Sequence, residues 1–132
     1  MESVETPTFR GRILVADDEP HIRRILTTLL EAASFQVDPA ATGTSAITSL
    51  ETDTEYDLVL MDIMMPGATG LDVLRRIRGL EHRNSLPVII LTAKGQDADR
   101  ETALSLGASD FITKPFSPKK LIARIEEILN GA

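Results

Sequence analysis

The chain has 132 residues, 42% of them hydrophobic and 26% charged, a composition typical of one globular domain that excludes a disordered or collagen-like chain. It contains no cysteine, which excludes disulfides, thiolate zinc sites and cysteine nucleophiles. A net charge of −6 and an aromatic content of 4% argue against direct nucleic-acid binding, because an acidic domain has no general affinity for a polyphosphate backbone.

Targeting and membrane signals are missing from the sequence. Residues 1–9 lack the apolar core of a secretory signal, and no apolar run approaches the ~20 residues that a membrane helix needs. We therefore expect a cytoplasmic location and no membrane partner.

The predicted elements alternate between strands and helices along the chain. Residues 1–11 mix Glu, Thr, Ser and Pro and are predicted to form a flexible arm. Short apolar runs predict strands over residues 12–17, 35–40, 57–62, 87–92 and 110–113. Helical patterns follow them over residues 20–33, 45–50, 71–80, 99–106 and 121–129. Pro20 suits a first helical turn, and Gly107 suits a C-terminal cap.

Five strand-then-helix units predict an α/β domain over residues 12–130. Its expected architecture is a doubly wound, five-stranded parallel sheet with helices on both faces. Ligands of such folds bind beyond the carboxyl ends of the strands, so we expect the functional residues to lie where each strand ends.

Polar side chains follow four of the predicted strands. Asp17 and Asp18 end the first, Asp62 the third and Thr92 the fourth, while Lys114 follows the fifth. Clustered carboxylates repel each other, and a hard cation such as Mg²⁺ removes that conflict. A lone strand-end aspartate is more often a helix cap, but a pair with a third acid favours a metal site.

The hydroxyl and the ammonium group fit the same site. In isolation Lys114 would be assigned to a salt bridge and Thr92 to ordinary strand preference. Beside a metal and an acceptor carboxylate, both groups suit phosphoryl oxygens. A flavin phosphate would be repelled by the acidic turn, and the dinucleotide and P-loop fingerprints are absent from the sequence.

The two histidines of the chain and three clustered arginines give weaker evidence for a functional site. His21 and His82 have no partners at metal-ligand spacing, and both are predicted to be surface residues. Arg75, Arg76 and Arg78 fall on the polar side of a predicted helix, and we expect that face to be solvated.

The chain resembles the receiver domain of two-component response regulators. The matching segments are ILVADDEP, DLVLMDIMMPGATGLDVL, PVIILTAKG and LGASDFITKPFSPKKL. The resemblance extends over residues 12–130 and implies the flavodoxin-like arrangement of a βα unit repeated five times.

The resemblance also implies residue roles in a phosphoacceptor site. Asp62 would be the phosphoacceptor, and Asp18 and Asp62 would bind Mg²⁺ directly. Asp17 would act mainly through a metal-bound water, and the backbone carbonyl of Met64 would complete the protein ligands. Lys114 would hold a phosphoryl oxygen, and its bond to the following proline would be cis.

Two further positions match the switch residues of that family. Thr92 would hold a second phosphoryl oxygen and move toward it on phosphorylation. Phe111 would then turn inward and fill the vacated space, so that packing reports a local change of charge.

The implied partner is a sensor histidine kinase or a histidine phosphotransfer protein, which would donate the phosphoryl group. The implied activity is regulatory: the domain would catalyse only its own phosphorylation and dephosphorylation, and its output partner is left open.

One alternative is a Mg²⁺-dependent aspartyl-phosphate hydrolase of haloacid-dehalogenase type, although Asp17 and Asp18 are adjacent rather than two residues apart. Another is a pseudo-receiver that works without phosphorylation. The sequence fits both a stand-alone receiver and a piece of a larger regulator.

Overall fold

The protein forms one five-stranded parallel sheet in the computed structural model, which describes residues 9–52, 54–93 and 98–130. The strands have the order β2-β1-β3-β4-β5. They are β1 (Arg12–Ala16), β2 (Gln36–Ala40), β3 (Leu58–Asp62), β4 (Val88–Thr92) and β5 (Asp110–Thr113). The doubly wound α/β fold predicted from the sequence is confirmed.

A helix follows each strand. The helices are α1 (Pro20–Ala32), α2 (Gly43–Leu50), α3 (Gly70–Gly79), α4 (Ala98–Ser105) and α5 (Pro118–Leu129), with a 3-10 turn at Glu81–Arg83. No helix in the described part of the chain is long and apolar enough to cross a membrane.

Apolar cores cover both faces of the sheet. On one face, α1 and α5 pack through Leu26, Leu30, Leu121 and Ile125 against alternate residues of the central strands. On the other face, α2, α3 and α4 pack over a second core that includes Phe111. Strands β3 and β4 are buried along their whole length, which explains why their sequences are continuous apolar runs.

Local signals fix the helix ends. The Thr42 hydroxyl accepts a hydrogen bond from Ser45 N, so α2 begins at Gly43, two residues before the predicted start. Thr69 and Asp72 form a reciprocal capping box at the start of α3. Gly107 follows α4 with φ +89, a conformation that favours glycine.

Residues 1–8 of the predicted arm lie outside the described residues, whereas Arg10 packs on the domain: its backbone N donates to Ser34 O at 2.8 Å and its guanidinium pairs with Glu126 at 2.8 Å.

The prediction of a wholly solvated arginine face on α3 is wrong for Arg78. That side chain turns back over the protein and donates to four backbone carbonyls.

Candidate functional site

The sheet brings the predicted polar residues to one edge. Strands β1 and β3 are neighbours, and their register pairs Ala16 with Met61. Asp17 and Asp62, the next residue on each strand, therefore emerge side by side. The carboxyl end of β4 adds Thr92 beside them, and Lys114 follows β5.

Lys114 is the cation at the centre of this edge. Its Nζ lies 2.9 Å from Asp17 Oδ2 and 3.1 Å from Asp62 Oδ2. The Lys114 side chain is 14% exposed, that of Asp17 1% and that of Asp62 8%. Water therefore screens these charges poorly, and each carboxylate depends on the ammonium group for compensation. The Lys114–Pro115 peptide bond is cis, as the resemblance implies.

Burial and charge shift the ionisation of two of these groups. Burial raises the pKa of Asp62 above its ordinary value, and the hydrogen bond from Lys114 offsets only part of that effect. Burial alone would lower the pKa of Lys114, but hydrogen bonds to Asp17 and Asp62 outweigh it and raise that pKa. At neutral pH the site therefore holds a firmly protonated lysine beside a carboxylate that is costly to ionise.

Three carboxylates in the site suit a hard cation. One oxygen from each of Asp17, Asp18 and Asp62 can be chosen so that all three lie within 4.8 Å of one another. Asp18 is exposed, so the cluster is open to water on one side. Mg²⁺ prefers such a donor set, because it binds carboxylate oxygens and keeps several waters.

The backbone after β3 supports the candidate acceptor. Met64 N donates to Asp62 Oδ1 at 3.4 Å, while the Met64 side chain is 56% exposed. Gly70 packs so closely on this segment that a Cβ there would clash with the Asp62 carbonyl oxygen. The absence of a side chain at Gly70 thus lets α3 start directly under the acceptor.

The two predicted switch residues, Thr92 and Phe111, are both buried and lie on the neighbouring strands β4 and β5. Thr92 is fully buried at the end of β4, and its hydroxyl donates to Ala93 O at 3.4 Å. Phe111 is already buried in the core, with the Arg100 guanidinium 5.7 Å from its ring centroid. Because the Phe111 ring is buried in this conformation, phosphorylation would not have to turn it inward.

Two neighbours of the site were given no role there by the sequence: Glu19 was noted only as part of the acidic turn after the first strand, and Arg23 was not singled out. Glu19 Oε1 lies 3.4 Å from Lys114 Nζ, and Arg23 Nη1 donates to Asp17 O at 2.7 Å. A signal for Arg23 was available: side chains in a helix point toward its N-terminus, so an arginine in the first turn of α1 can reach back to the end of β1.

Comparison with known proteins agrees with this geometry. Residues 13–126 match the family described as response regulator receiver domain. The transcriptional regulatory protein ResD of Bacillus subtilis is 42% identical over 125 residues, covering 95% of this chain and 50% of ResD. The chain thus spans about half the length of the curated relatives it matches.

Solved structures give the same result. The receiver domain of the Francisella response regulator 1452 is 31% identical with a TM-score of 0.83, covering 92% of this chain and 98% of that one. The receiver domain of sensor histidine kinase PA1611 from Pseudomonas aeruginosa is 30% identical with a TM-score of 0.84, covering 92% and 98%. That structure holds a magnesium ion coordinated in its active site cleft.

Proposed function

The chain belongs to the response regulator receiver domain family, and from that premise we propose that Asp62 accepts a phosphoryl group from a phosphohistidine. The donor would be a sensor histidine kinase or a histidine phosphotransfer protein. The observation that carries the proposal is the pairing of Asp62 with Lys114 at 3.1 Å, inside a cluster of three carboxylates. This arrangement joins a nucleophile, a cation and a candidate metal site.

The proposed reaction needs positioning more than acid–base chemistry. An Asp62 carboxylate oxygen attacks phosphorus as the bond from phosphorus to the imidazole nitrogen breaks. The second ring nitrogen of the phosphohistidine carries a proton, so the products are an acyl phosphate and a neutral imidazole. Lys114 gives up its hydrogen bond to Asp17 and donates to a phosphoryl oxygen. The Thr92 hydroxyl, at the end of the adjacent strand, donates to another.

The donor set of the site fits Mg²⁺. Asp17, Asp18 and Asp62 would hold it together with the backbone carbonyl of Met64. When bound, Mg²⁺ neutralises negative charge that develops on the phosphoryl oxygens. The magnesium ion in the PA1611 receiver domain supports this assignment.

The partner would cover a groove that borders Lys114, the residue that pairs with Asp62. A groove of about 440 Å³ opens beside Lys114 and is lined on its apolar side by Ile22, Ile25, Phe116 and Pro118. Ile25 is 48% exposed. A phosphohistidine can reach Asp62 only if its protein packs on the surface around the site, so this groove would receive the apolar face of the donor.

The proposal makes the domain a switch and not an enzyme with an external substrate. Movement of the Thr92 hydroxyl toward the phosphoryl group would change the packing next to Phe111. Since Phe111 is already buried, the signal would be a rearrangement of α4 around it, including the Arg100 contact. A kinase that draws on ATP would place this reaction in the cytoplasm.

Acetyl phosphate tests the proposal without a partner protein. Incubation with acetyl phosphate and Mg²⁺ should add one phosphoryl group per chain, which peptide mapping should assign to Asp62. Asp62→Asn should abolish the adduct, whereas Asp99→Asn in the first turn of α4 should not change it.

The mapped position separates the alternatives. An adduct on Asp17 or Asp18 would favour the hydrolase, and an unmodified wild-type chain would favour the pseudo-receiver. Either result would contradict the proposed function.

A further inference from the structure

We propose that Arg23 is a positioning residue for the metal site, because it fixes the backbone of the acidic turn that presents Asp18. This inference rests on the proposed function, since it concerns the same Mg²⁺ site. Arg23 lies in the first turn of α1, where its backbone N bonds to Glu19 O at 3.0 Å. Its side chain points back to the turn that joins β1 to α1.

The acidic turn is held at four atoms of Asp17, whose backbone N donates to Ala40 O at 3.1 Å. Asp17 Oδ1 accepts from Glu19 N at 2.9 Å, and Asp17 Oδ2 accepts from Lys114 Nζ at 2.9 Å. Asp17 O accepts from Arg23 Nη1 at 2.7 Å. The Glu19 bond ties the Asp17 side chain to the peptide group after Asp18, and the Lys114 bond fixes the Asp17 side chain alone. The Arg23 bond fixes the peptide group that leads into Asp18.

Asp18 depends on that peptide group for its orientation. It is exposed, and it makes no hydrogen bond or ion pair with any residue that the structure describes. A ligand without side-chain contacts of its own is oriented by its backbone. Partners that orient metal ligands typically change metal affinity by ~10–100-fold when removed.

The positive charge of Arg23 and its positioning role predict changes of opposite sign in Mg²⁺ affinity when Arg23 is replaced. A cation close to a Mg²⁺ site repels the metal, so removing the positive charge alone would strengthen Mg²⁺ binding. If Arg23 positions the turn, its removal weakens binding instead. The sign of the change therefore distinguishes a positioning residue from a bystander charge.

Arg24 supplies a matched control. It is the next residue of α1, it is exposed, and its side chain makes no hydrogen bond or ion pair within the described part of the chain. Arg24→Met removes the same charge from the same helix turn without touching Asp17 O.

The experiment measures Mg²⁺ affinity in the absence of phosphodonor. The chain has no tryptophan, so binding is followed by amide chemical shifts in an NMR titration, and the melting temperature is recorded in EDTA. We expect Arg23→Met to raise the Kd for Mg²⁺ about tenfold with little change in melting temperature. Arg24→Met should stay within about twofold of wild type or bind more tightly. Arg23→Lys, which keeps one donor, should recover part of the affinity.

The outcomes separate this inference from the function on which it rests. A Kd for Arg23→Met equal to or below that of wild type would overturn the positioning role alone. If Arg23→Met does not fold, Arg23→Gln decides the matter, because its uncharged side chain is two bonds shorter than that of arginine and cannot make the contact with Asp17 O. Wild-type affinity in Arg23→Gln would also overturn the positioning role. A wild-type chain that does not bind Mg²⁺ would overturn the metal assignment itself, and this inference with it.

Discussion

Lys114 is shared between two buried carboxylates, and the proposed reaction needs the same ammonium group for a phosphoryl oxygen. Removing it leaves Asp17 and Asp62 buried without their counterion. We expect Lys114→Met to lower the free energy of unfolding by about 3 kcal/mol, as is typical when one partner of a buried ion pair is lost. Urea denaturation in EDTA measures this change.

Lys120→Met provides the control for Lys114, because Lys120 is an exposed residue in the first turn of α5. Its effect should stay within about 0.5 kcal/mol. Equal stabilities for the two variants would show that Lys114 does not compensate the carboxylates.

The ionised carboxylate of Asp62 should lower the stability of the fold at neutral pH, relative to the protonated carboxyl present in mild acid. Burial raises its pKa, so the folded protein binds this proton more readily than the unfolded chain does. The protonated Asp62 carboxyl contributes its whole stabilisation when the pH is below 3.8, the ordinary pKa of an aspartate. That stabilisation is lost as the pH rises through the higher pKa of Asp62 in the folded protein. Asp62→Asn should thus be more stable than wild type at pH 7, and the difference should shrink toward pH 4.

Asp72 offers a control of opposite sign. Backbone and side-chain hydrogen bonds from Thr69 lower the pKa of Asp72, so its contribution is present at neutral pH and is lost in acid. Asp72→Asn should be less stable than wild type at pH 7, with the deficit fading as the pH falls. Urea midpoints measured from pH 7 to pH 4 give both trends. A wild-type chain more stable than Asp62→Asn at pH 7 would contradict the prediction.

Beyond the core that α3 and α4 share, one side chain of α3 donates hydrogen bonds to the residues that follow α4. Arg78 donates to Leu106 O and Gly107 O at the end of α4, at 3.2 and 2.7 Å. It also donates to Asn84 O and Leu86 O in the segment before β4, at 3.1 and 2.9 Å. The arginine thus satisfies carbonyls that helix and strand bonds leave open.

Arg78→Met should release the end of α4. We expect a loss of about 2 kcal/mol in the free energy of unfolding and faster amide hydrogen exchange at Gly107 and Ala108. Arg75→Met, on the same helix but with an exposed pair to Asp72, should change stability by less than about 0.5 kcal/mol. Unchanged amide exchange in Arg78→Met would refute the link between the two helices.

The elements themselves were predictable because burial sets their sequence pattern. Strands covered on both faces, such as β3 and β4, need continuous apolar runs, and α1 needs an apolar stripe. Arg78 was not predictable, since its partners lie 6 to 29 residues away in sequence and periodicity carries no information on them. Arg83 was missed for the same reason: it is buried and donates to Leu50 O and Thr52 O.

The candidate site followed from topology more than from pattern. Once a parallel sheet is predicted, residues that end neighbouring strands must converge, which brings Asp17, Asp62 and Lys114 together. The state of Phe111 was not predictable, because its packing depends on α4, whose apolar pattern is weak. Only Ala103 of that helix is buried among the described residues.

The molecule as a whole should behave as one cooperative unit. Both cores lie on the same sheet, and β1, β3 and β4 contribute alternate residues to each of them. Neither core can be lost while the other keeps its strands in place. A ligand that binds at one edge of this sheet should therefore stabilise the entire fold and not just the loops that touch it.

Mg²⁺ should raise the unfolding free energy in proportion to the logarithm of its concentration. For one site the gain is RT ln(1 + [Mg²⁺]/Kd), about 2.7 kcal/mol at 100 times the Kd. Asp18→Asn should remove most of this gain while leaving stability in EDTA unchanged or higher, since Asp18 is exposed and its removal relieves repulsion among three acids. NaCl at matched ionic strength controls for screening of the net charge of −6. An equal gain with NaCl, or in Asp18→Asn, would mean that Mg²⁺ acts on the charge of the whole surface and not at the cluster beside Lys114.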